Sequence, residues 1–402
     1  MGTVIWRGGA PAVAHLQTIT VSGTWATGDT ATITINGHDI TFTVAATETI
    51  AAVVAGLVAA WNASTIPEVA EVTAADASPD ITLTADTAGK PFTVTTSEVT
   101  AGDGELGDPV ETTANEGPYC WDTPENWDTG AMPVAADDMV FENSSISCIY
   151  NLSQAGATLT SLTIMQSYTG TIGLPYYNAS GYREYRPQYL AIDATTVRVG
   201  KSGTGSGTGS GRIKIDSGTV QTTVHVTNTG TALDQNVGAF VWKGTHASNV
   251  IYLNKGDVSI APYAGETATI ATLNIGYIDR IDSDVSLSTG GGLTLTTVNC
   301  DGGVTTLEDD ITTLTQRGGE LTIRGAATVT TFNAYGGVCY CESTGTITTL
   351  NGKAGAINCS RDMQTRTITD MNLYSGFTLT DPHDTITFTN APAISEGLEV
   401  RT

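Results

Sequence analysis

The chain has 402 residues, with 17 Lys+Arg against 41 Asp+Glu and a formal net charge of −24. That length supports two or three domains around a sizeable core, and the acidic field repels phosphate and anionic lipid headgroups, so neither nucleic acid nor a membrane is an expected partner. Charged residues make up only 14%, glycines number 45, and Thr and Ser alternate with Val, Ile and Leu, a composition that excludes a helical bundle and predicts a mostly β protein with many tight turns.

Residues 1–16 carry no clear period, and Gly8, Gly9 and Pro11 predict an extended N-terminal arm, read either as a contact to another subunit, with Trp6 and Arg7 as candidates, or as a solvated terminus. The opening residues have neither the basic nor the apolar region of a secretory signal, and the apolar runs stay short of the roughly 18 residues of a membrane span. The expectation is a chain made and kept in a cytosol, with its six cysteines as reduced thiols.

From residue 17 to 108 the pattern predicts a small β domain with one helix. Ile19 and Val21, Ile33 and Ile35, and Ile40, Phe42 and Val44 alternate with polar residues as strands do, and Asn36-Gly37 is a type I′ hairpin signal. Thr47 is the expected cap of a helix whose Ile50, Val53, Val54, Leu57 and Trp61 share one face. Further strands are predicted over 69–73, 81–85 and 92–96, and Gly102, Gly104 and Gly107 mark the end of the domain. Residues 109–150, with Trp121, Asn126-Trp127, Pro133 and Asp137-Asp138, read as a cap and linker covering an otherwise open core.

The strongest signal is an internal repeat. Segments start at Leu295-Thr-Thr-Val298, Ile311-Thr-Thr-Leu314, Val329-Thr-Thr-Phe332, Ile347-Thr-Thr-Leu350 and Ile368-Thr-Asp-Met371, at intervals of 16, 18, 18 and 21 residues, with a further start expected at Ile386. Seven and eight residues on stand Gly302-Gly303, Gly318-Gly319, Gly336-Gly337, Ala354-Gly355 and Ser375-Gly376, so a corner needing positive φ is predicted at the second member of each pair. Leu321 and Ile323, Cys339 and Cys341, and Ile357 and Cys359 then alternate again. Two short strands per repeat sharing one core predict a parallel β-helix (β-solenoid), with coils about 4.8 Å apart and threonines in external ladders. Looser matches extend the expected solenoid over 151–402.

Candidate chemistry is sparse. Gly200-Lys201-Ser202 lacks the first glycine of a phosphate loop, which would fall at Thr195, and the glycines from 203 to 211 read as an insertion loop. The acid pairs Asp137-Asp138, Asp309-Asp310 and Asp282/Asp284 read as solvent-facing charge, and the five scattered histidines lack metal-site spacing. The expectation is therefore no catalytic residue, no cofactor and no metal. Cys341 and Cys359 share an offset in neighbouring coils within disulfide reach, but parallel stacked side chains rarely give the required dihedral, so a buried thiol ladder is expected. Tyr176, Tyr177, Tyr182, Tyr185 and Tyr189 crowd one segment with Arg183 and Arg186. Two readings of this segment stand side by side: an interface to another subunit or a glycan ring, and packing of an irregular loop onto the solenoid flank.

The opening Val4-Ile5-Trp6-Arg7-Gly8-Gly9-Ala10-Pro11, the stretches Trp61-Asn62-Ala63-Ser64 and Leu83-Thr84-Ala85-Asp86 through Val94, and Asn126-Trp127 with Pro133 and Asp137-Asp138 resemble structural proteins of tailed bacteriophages and prophages. The resemblance implies a virion component assembled in the host cytoplasm. Within that class the chain is expected to be a trimeric capsid decoration or cement protein bound to the major capsid protein or other virion proteins. The alternatives are a tail fibre or tailspike-like protein that binds host glycans, and a cell-surface adhesin.

Overall fold

A computed structural model describes residues 2–201, 209–234, 236–276, 285–289 and 292–394. The protein is mostly β, with one α-helix among the described residues, two small antiparallel sheets and one long parallel sheet of 22 strands. Most of the glycine-rich stretch 203–211, Asp282, Asp284 and residues 395–402 lie outside the described residues.

The small β body follows the sequence closely. Strands Thr30–Ile35 and His38–Thr43 pair antiparallel around Asn36 (φ 50°) and Gly37 (φ 81°), the two positive values a type I′ turn demands. Val94–Val99 pairs on the other side of Thr30–Ile35. In the second sheet Leu16–Ser22 lies beside Asp80–Ala85, which pairs with Val72–Ala77. The helix Ile50–Asn62 buries Val53, Val54, Leu57 and Trp61 against Ile19, Ile33 and Leu83 in a core of its own. Its cap is Thr49 rather than Thr47: the Thr49 hydroxyl accepts from the Ala52 amide at 3.3 Å, because Thr49 directly precedes the first helical residue. Val69–Glu71 forms a 3-10 turn and the strand starts at Val72. The body also runs past residue 108, since Val110–Thr113 pairs with Leu16–Thr18.

The first residues are not an arm. Thr3–Trp6 is a strand of the long sheet, paired in parallel with Asp138–Phe141, and it alternates Val4 and Trp6 inward with Thr3 and Ile5 outward. Four residues are too few to reveal that period by pattern alone. Trp121 and Trp127 cover this first rung, with ring centroids 4.7 Å apart and Trp127 at 5.2 Å from Trp6. Asn126 and Asp128 occupy its free edge: the Asn126 carbonyl accepts from the Arg7 and Gly8 amides, and the Asp128 amide donates to the Ile5 carbonyl at 3.0 Å. Of the acid pairs, Asp137 accepts from the Gly2 amide, Asp309 from the Leu293 amide and Asp310 from the Thr328 amide, so these carboxylates hold backbone.

Beyond residue 159 the strands build two parallel ladders, each strand pairing with one from the next repeat. The first ladder runs Leu159–Met165, Ala194–Lys201, Thr223–Val226, Val250–Leu253, Ala268–Ile275, Leu293–Cys300, Ile311–Gln316, Val329–Cys341, Thr346–Asn358 and Arg366–Leu373. The second includes Ile213–Asp216, Phe240–Lys243, Gly256–Ile260, Val285–Thr289, Val304–Leu307 and Glu320–Ile323. Apolar residues from Val4 to Ile386 form one continuous buried cluster along the stack.

Within the repeats the register is the one the sequence alignment implies: Leu295, Ile311, Val329, Ile347 and Ile368 stand opposite one another, as do Thr297, Thr313, Thr331 and Thr349. The expected sixth start is displaced by two residues, since Phe388 faces Ile368 while Ile386 faces Arg366. Gly303, Gly319, Gly337, Gly355 and Gly376 all have positive φ, between 72° and 99°. The corner is also tight, because a Cβ on Gly337 would meet the Gly318 carbonyl at 2.7 Å. A second column runs down the outer face: Asn299 donates to Asn274, Asn351 to Asn333 and Asn372 to Asn351, each at 2.9 Å. Such amide ladders satisfy half-buried side chains from one repeat to the next.

Candidate functional site

The tyrosine-rich segment leaves the stack after Ile172 and returns at Leu190, and it has two inward sides. On one side it clasps the small β body. Tyr185 donates its hydroxyl to Glu71 at 2.7 Å, and Asn178 donates to the buried Glu68 at 2.7 Å. Arg186 bonds Glu184 through Nε at 2.8 Å, lies 3.7 Å from Glu71 and stacks over the Tyr185 ring at 4.4 Å. Lys90 of the small body completes the cluster at 2.6 Å from Glu71. Burial raises the pKa of the Tyr185 hydroxyl above the ordinary tyrosine range against the opposing pull of Arg186, and the hydrogen bond to Glu71 adds to the rise, so it remains a donor to the carboxylate.

The other side packs on the stack. Tyr189 donates to Glu266 at 3.1 Å beneath the Lys243 ammonium, which sits 4.3 Å from the ring centroid. Tyr176 stacks on Tyr263 at 4.2 Å, and the fully buried Lys214 donates to the Tyr263 hydroxyl at 2.9 Å. Burial pushes the Lys214 ammonium down to about 8, with Asp234 pulling the other way. Asp234 itself is held by Arg212 at 3.0 Å.

These contacts sort the nine candidate interface residues. Trp6, Arg186 and Tyr189 are buried and make their contacts within this chain. Tyr185 and Tyr176 are half-buried on Glu71 and Tyr263. Arg7, Tyr177, Tyr182 and Arg183 remain exposed, with Tyr177 at 60% and Tyr182 at 50%. The loop does pack on the stack flank, and it packs equally on a body more than a hundred residues earlier in the chain. Glu68, Glu71, Lys214, Tyr263 and Glu266 escaped sequence reasoning because no spacing links them to the tyrosines.

Two concavities flank the segment. An open groove of about 540 Å³ is lined by Tyr176, Tyr177, Leu233, Asp234, Pro262 and Tyr263. On the opposite side, a cavity of about 260 Å³ at the seam between the two bodies is lined by His15, Glu111, Asp122, Tyr150 and Arg186. There His15 Nε2 lies 3.0 Å from Glu111, while Nδ1 accepts from the Phe92 amide at 3.4 Å. Burial lowers the pKa of this imidazole, so the neutral form with its proton on Nε2 suits both contacts. Burial likewise raises the pKa of Asp122. Among the described residues, no group of three or more His, Cys, Asp or Glu side chains is placed to hold a metal ion, and no helix is long and apolar enough to cross a membrane.

No protein-family profile matches the chain, and no curated protein matches it.

Proposed function

We propose that the long parallel stack is a parallel β-helix and that the chain is a non-catalytic structural component of a tailed-bacteriophage particle, a capsid decoration or cement protein on the head. The observation that carries this reading is the clasp: Glu68 and Glu71 of the small body are bonded to Asn178 and Tyr185 of the stack, with Arg186 alongside, so two bodies with separate cores act as one stiff unit. A protein that braces a shell needs such rigidity, and stacked coils joined by backbone and amide ladders supply it along their length. The acidic surface suits a partner of protein rather than nucleic acid. In this reading the partner is the major capsid protein, three copies associate, and assembly takes place in the host cytoplasm. Immunogold labelling of intact particles tests it: dense gold over the head is the expected result, and gold confined to the tail tip overturns it.

A second reading, a fibre or tailspike-like protein that binds host glycans, is favoured by the groove in which Tyr176, Tyr177 and Tyr263 gather on the surface. Sugar rings stack on such faces while edge polar groups take their hydroxyls. Copy number separates the two on a stained gel of purified particles, hundreds of copies per particle supporting decoration and tens supporting a fibre.

A further inference from the structure

The cavity at the seam carries polar groups that neither the clasp nor the core uses. Its wall joins apolar surface from Phe92, Ile149, Tyr150 and Pro187 to the polar side chains of Glu111, Asn115, Asp122 and Arg186. Arg186 is 7% exposed and commits Nε to Glu184 at 2.8 Å, while its Nη2 lies 3.5 Å from Glu184 and 3.7 Å from Glu71. Its Nη1 is buried and has no hydrogen-bond partner in the chain. Asn115 is 4% exposed and donates through Nδ2 to the Cys120 sulfur at 3.0 Å; its Oδ1 is also buried without a partner. Buried polar atoms of this kind are costly to leave unpaired, and here one donor and one acceptor belong to two residues of the same cavity wall. Asp122, which accepts from Asn151 at 2.9 Å, and Glu111 are exposed and place carboxylates toward the opening.

We propose that this seam cavity is a binding site for one neutral sugar ring. The charges and the unpaired atoms select that class. An anion meets the carboxylates of Glu111 and Asp122 and brings no proton to Asn115 Oδ1, and a cation meets the Arg186 guanidinium and offers Nη1 no acceptor. A hydroxyl is donor and acceptor at once, and a sugar ring adds C–H surface to lay against the aromatic and proline wall. At about 260 Å³ the cavity is smaller than the roughly 300–1,000 Å³ of sites for drug-sized ligands, which suits a single ring. Arg186 Nη1 donates to one ring hydroxyl, Asn115 Oδ1 accepts from another, and the carboxylates of Asp122 and Glu111 accept from those nearer the opening. Both unpaired atoms are screened from solvent, so the ring reaches them through side-chain adjustments of the kind that commonly accompany binding. The proposal rests neither on a role in a particle nor on the groove of Tyr176 and Tyr263, which lies on the opposite side of the tyrosine-rich segment.

Saturation-transfer NMR on the full chain tests it, with D-glucose, D-galactose, D-mannose and N-acetyl-D-glucosamine as neutral probes and D-glucosamine and D-glucuronate as charged ones. The expected result is millimolar or tighter binding of at least one neutral sugar, with the charged sugars weaker by about tenfold or more. Ala114 is exposed and lines the cavity, so Ala114→Phe fills the space without entering the core. That variant and Asp122→Ala are each expected to weaken binding by about tenfold or more while the melting temperature stays within a few degrees. Tyr177→Ala, at an exposed position of the groove, must leave binding unchanged. No transfer to any neutral sugar, equal binding of the charged sugars, undiminished binding in both Ala114→Phe and Asp122→Ala, or loss of binding in Tyr177→Ala each overturns the proposal.

Discussion

The first rung of the parallel stack and its last described strands are built differently. At the N-terminal end the first rung, Thr3–Trp6, has its free edge occupied by Asn126–Asp128, and its core side is sealed by Trp6, Trp127 and Trp121 in edge-to-face contact. At the other end the described strands shorten, from Phe377–Thr380 to Ile386–Phe388 and then Ala393–Ile394, and leave Phe388 and Ile394 exposed at 38% and 47%. A stack of strands has two edges, each with unpaired backbone groups and an open core. One end here is closed with aromatic mass brought from distant sequence, whereas toward the other the described strands become shorter.

Removing the seal gives the largest expected effect. Trp127→Ala deletes a fully packed ring between two others and opens the core to water, at a cost of about 3–5 kcal/mol, read as a fall in the urea midpoint. In the middle of the stack, Gly337→Ala forces a Cβ into the left-handed region and against the Gly318 carbonyl. The conformational part alone is about 1–2 kcal/mol, and the contact adds to it; denaturant titration would show a clear loss, whereas Gly325→Ala, whose Cβ would meet only the Glu308 carbonyl at 3.8 Å, loses the conformational part alone. Asn351→Ala interrupts the amide column in both directions and leaves two half-buried partners short of a bond, about 1 kcal/mol by the same measurement. At the tapered end, Ile394→Lys is expected to change stability by no more than about 0.5 kcal/mol, the range of ordinary surface substitutions. If Ile394→Lys proved as costly as Trp127→Ala, the two ends would have to be sealed alike.

What the sequence disclosed depended on repetition. In 295–373 each offset is sampled five times, so the apolar positions, the threonine column and the positive-φ glycines stood out, and the pairing register from each repeat start agrees with the alignment, shifting only at Tyr335. The small body was readable for a different reason: its hairpin and helix carry local signals at Asn36-Gly37 and along the face from Val53 to Trp61. The strand Thr3–Trp6 was hidden because it pairs with residues beginning at Asp138, and the clasp because Tyr185 and Glu71 are 114 positions apart. The asparagine column was visible four residues after each repeat start except at Thr315, yet it was overlooked beside the more abundant threonine. Local chemistry and periodic chemistry leave marks in a single sequence; contacts between separate bodies do not.

On the proposed reading, each repeat of the regular region is one coil of a parallel β-helix, interchangeable with its neighbours. Deleting residues 329–346 tests this most directly, because Ile347 would then take the position of Val329 and every later pair would move by one coil. The account predicts a folded protein with an unchanged β signal per residue by circular dichroism and a single cooperative melt within a few degrees of the full chain. An unfolded or aggregated product, or a melt that splits in two, would contradict it.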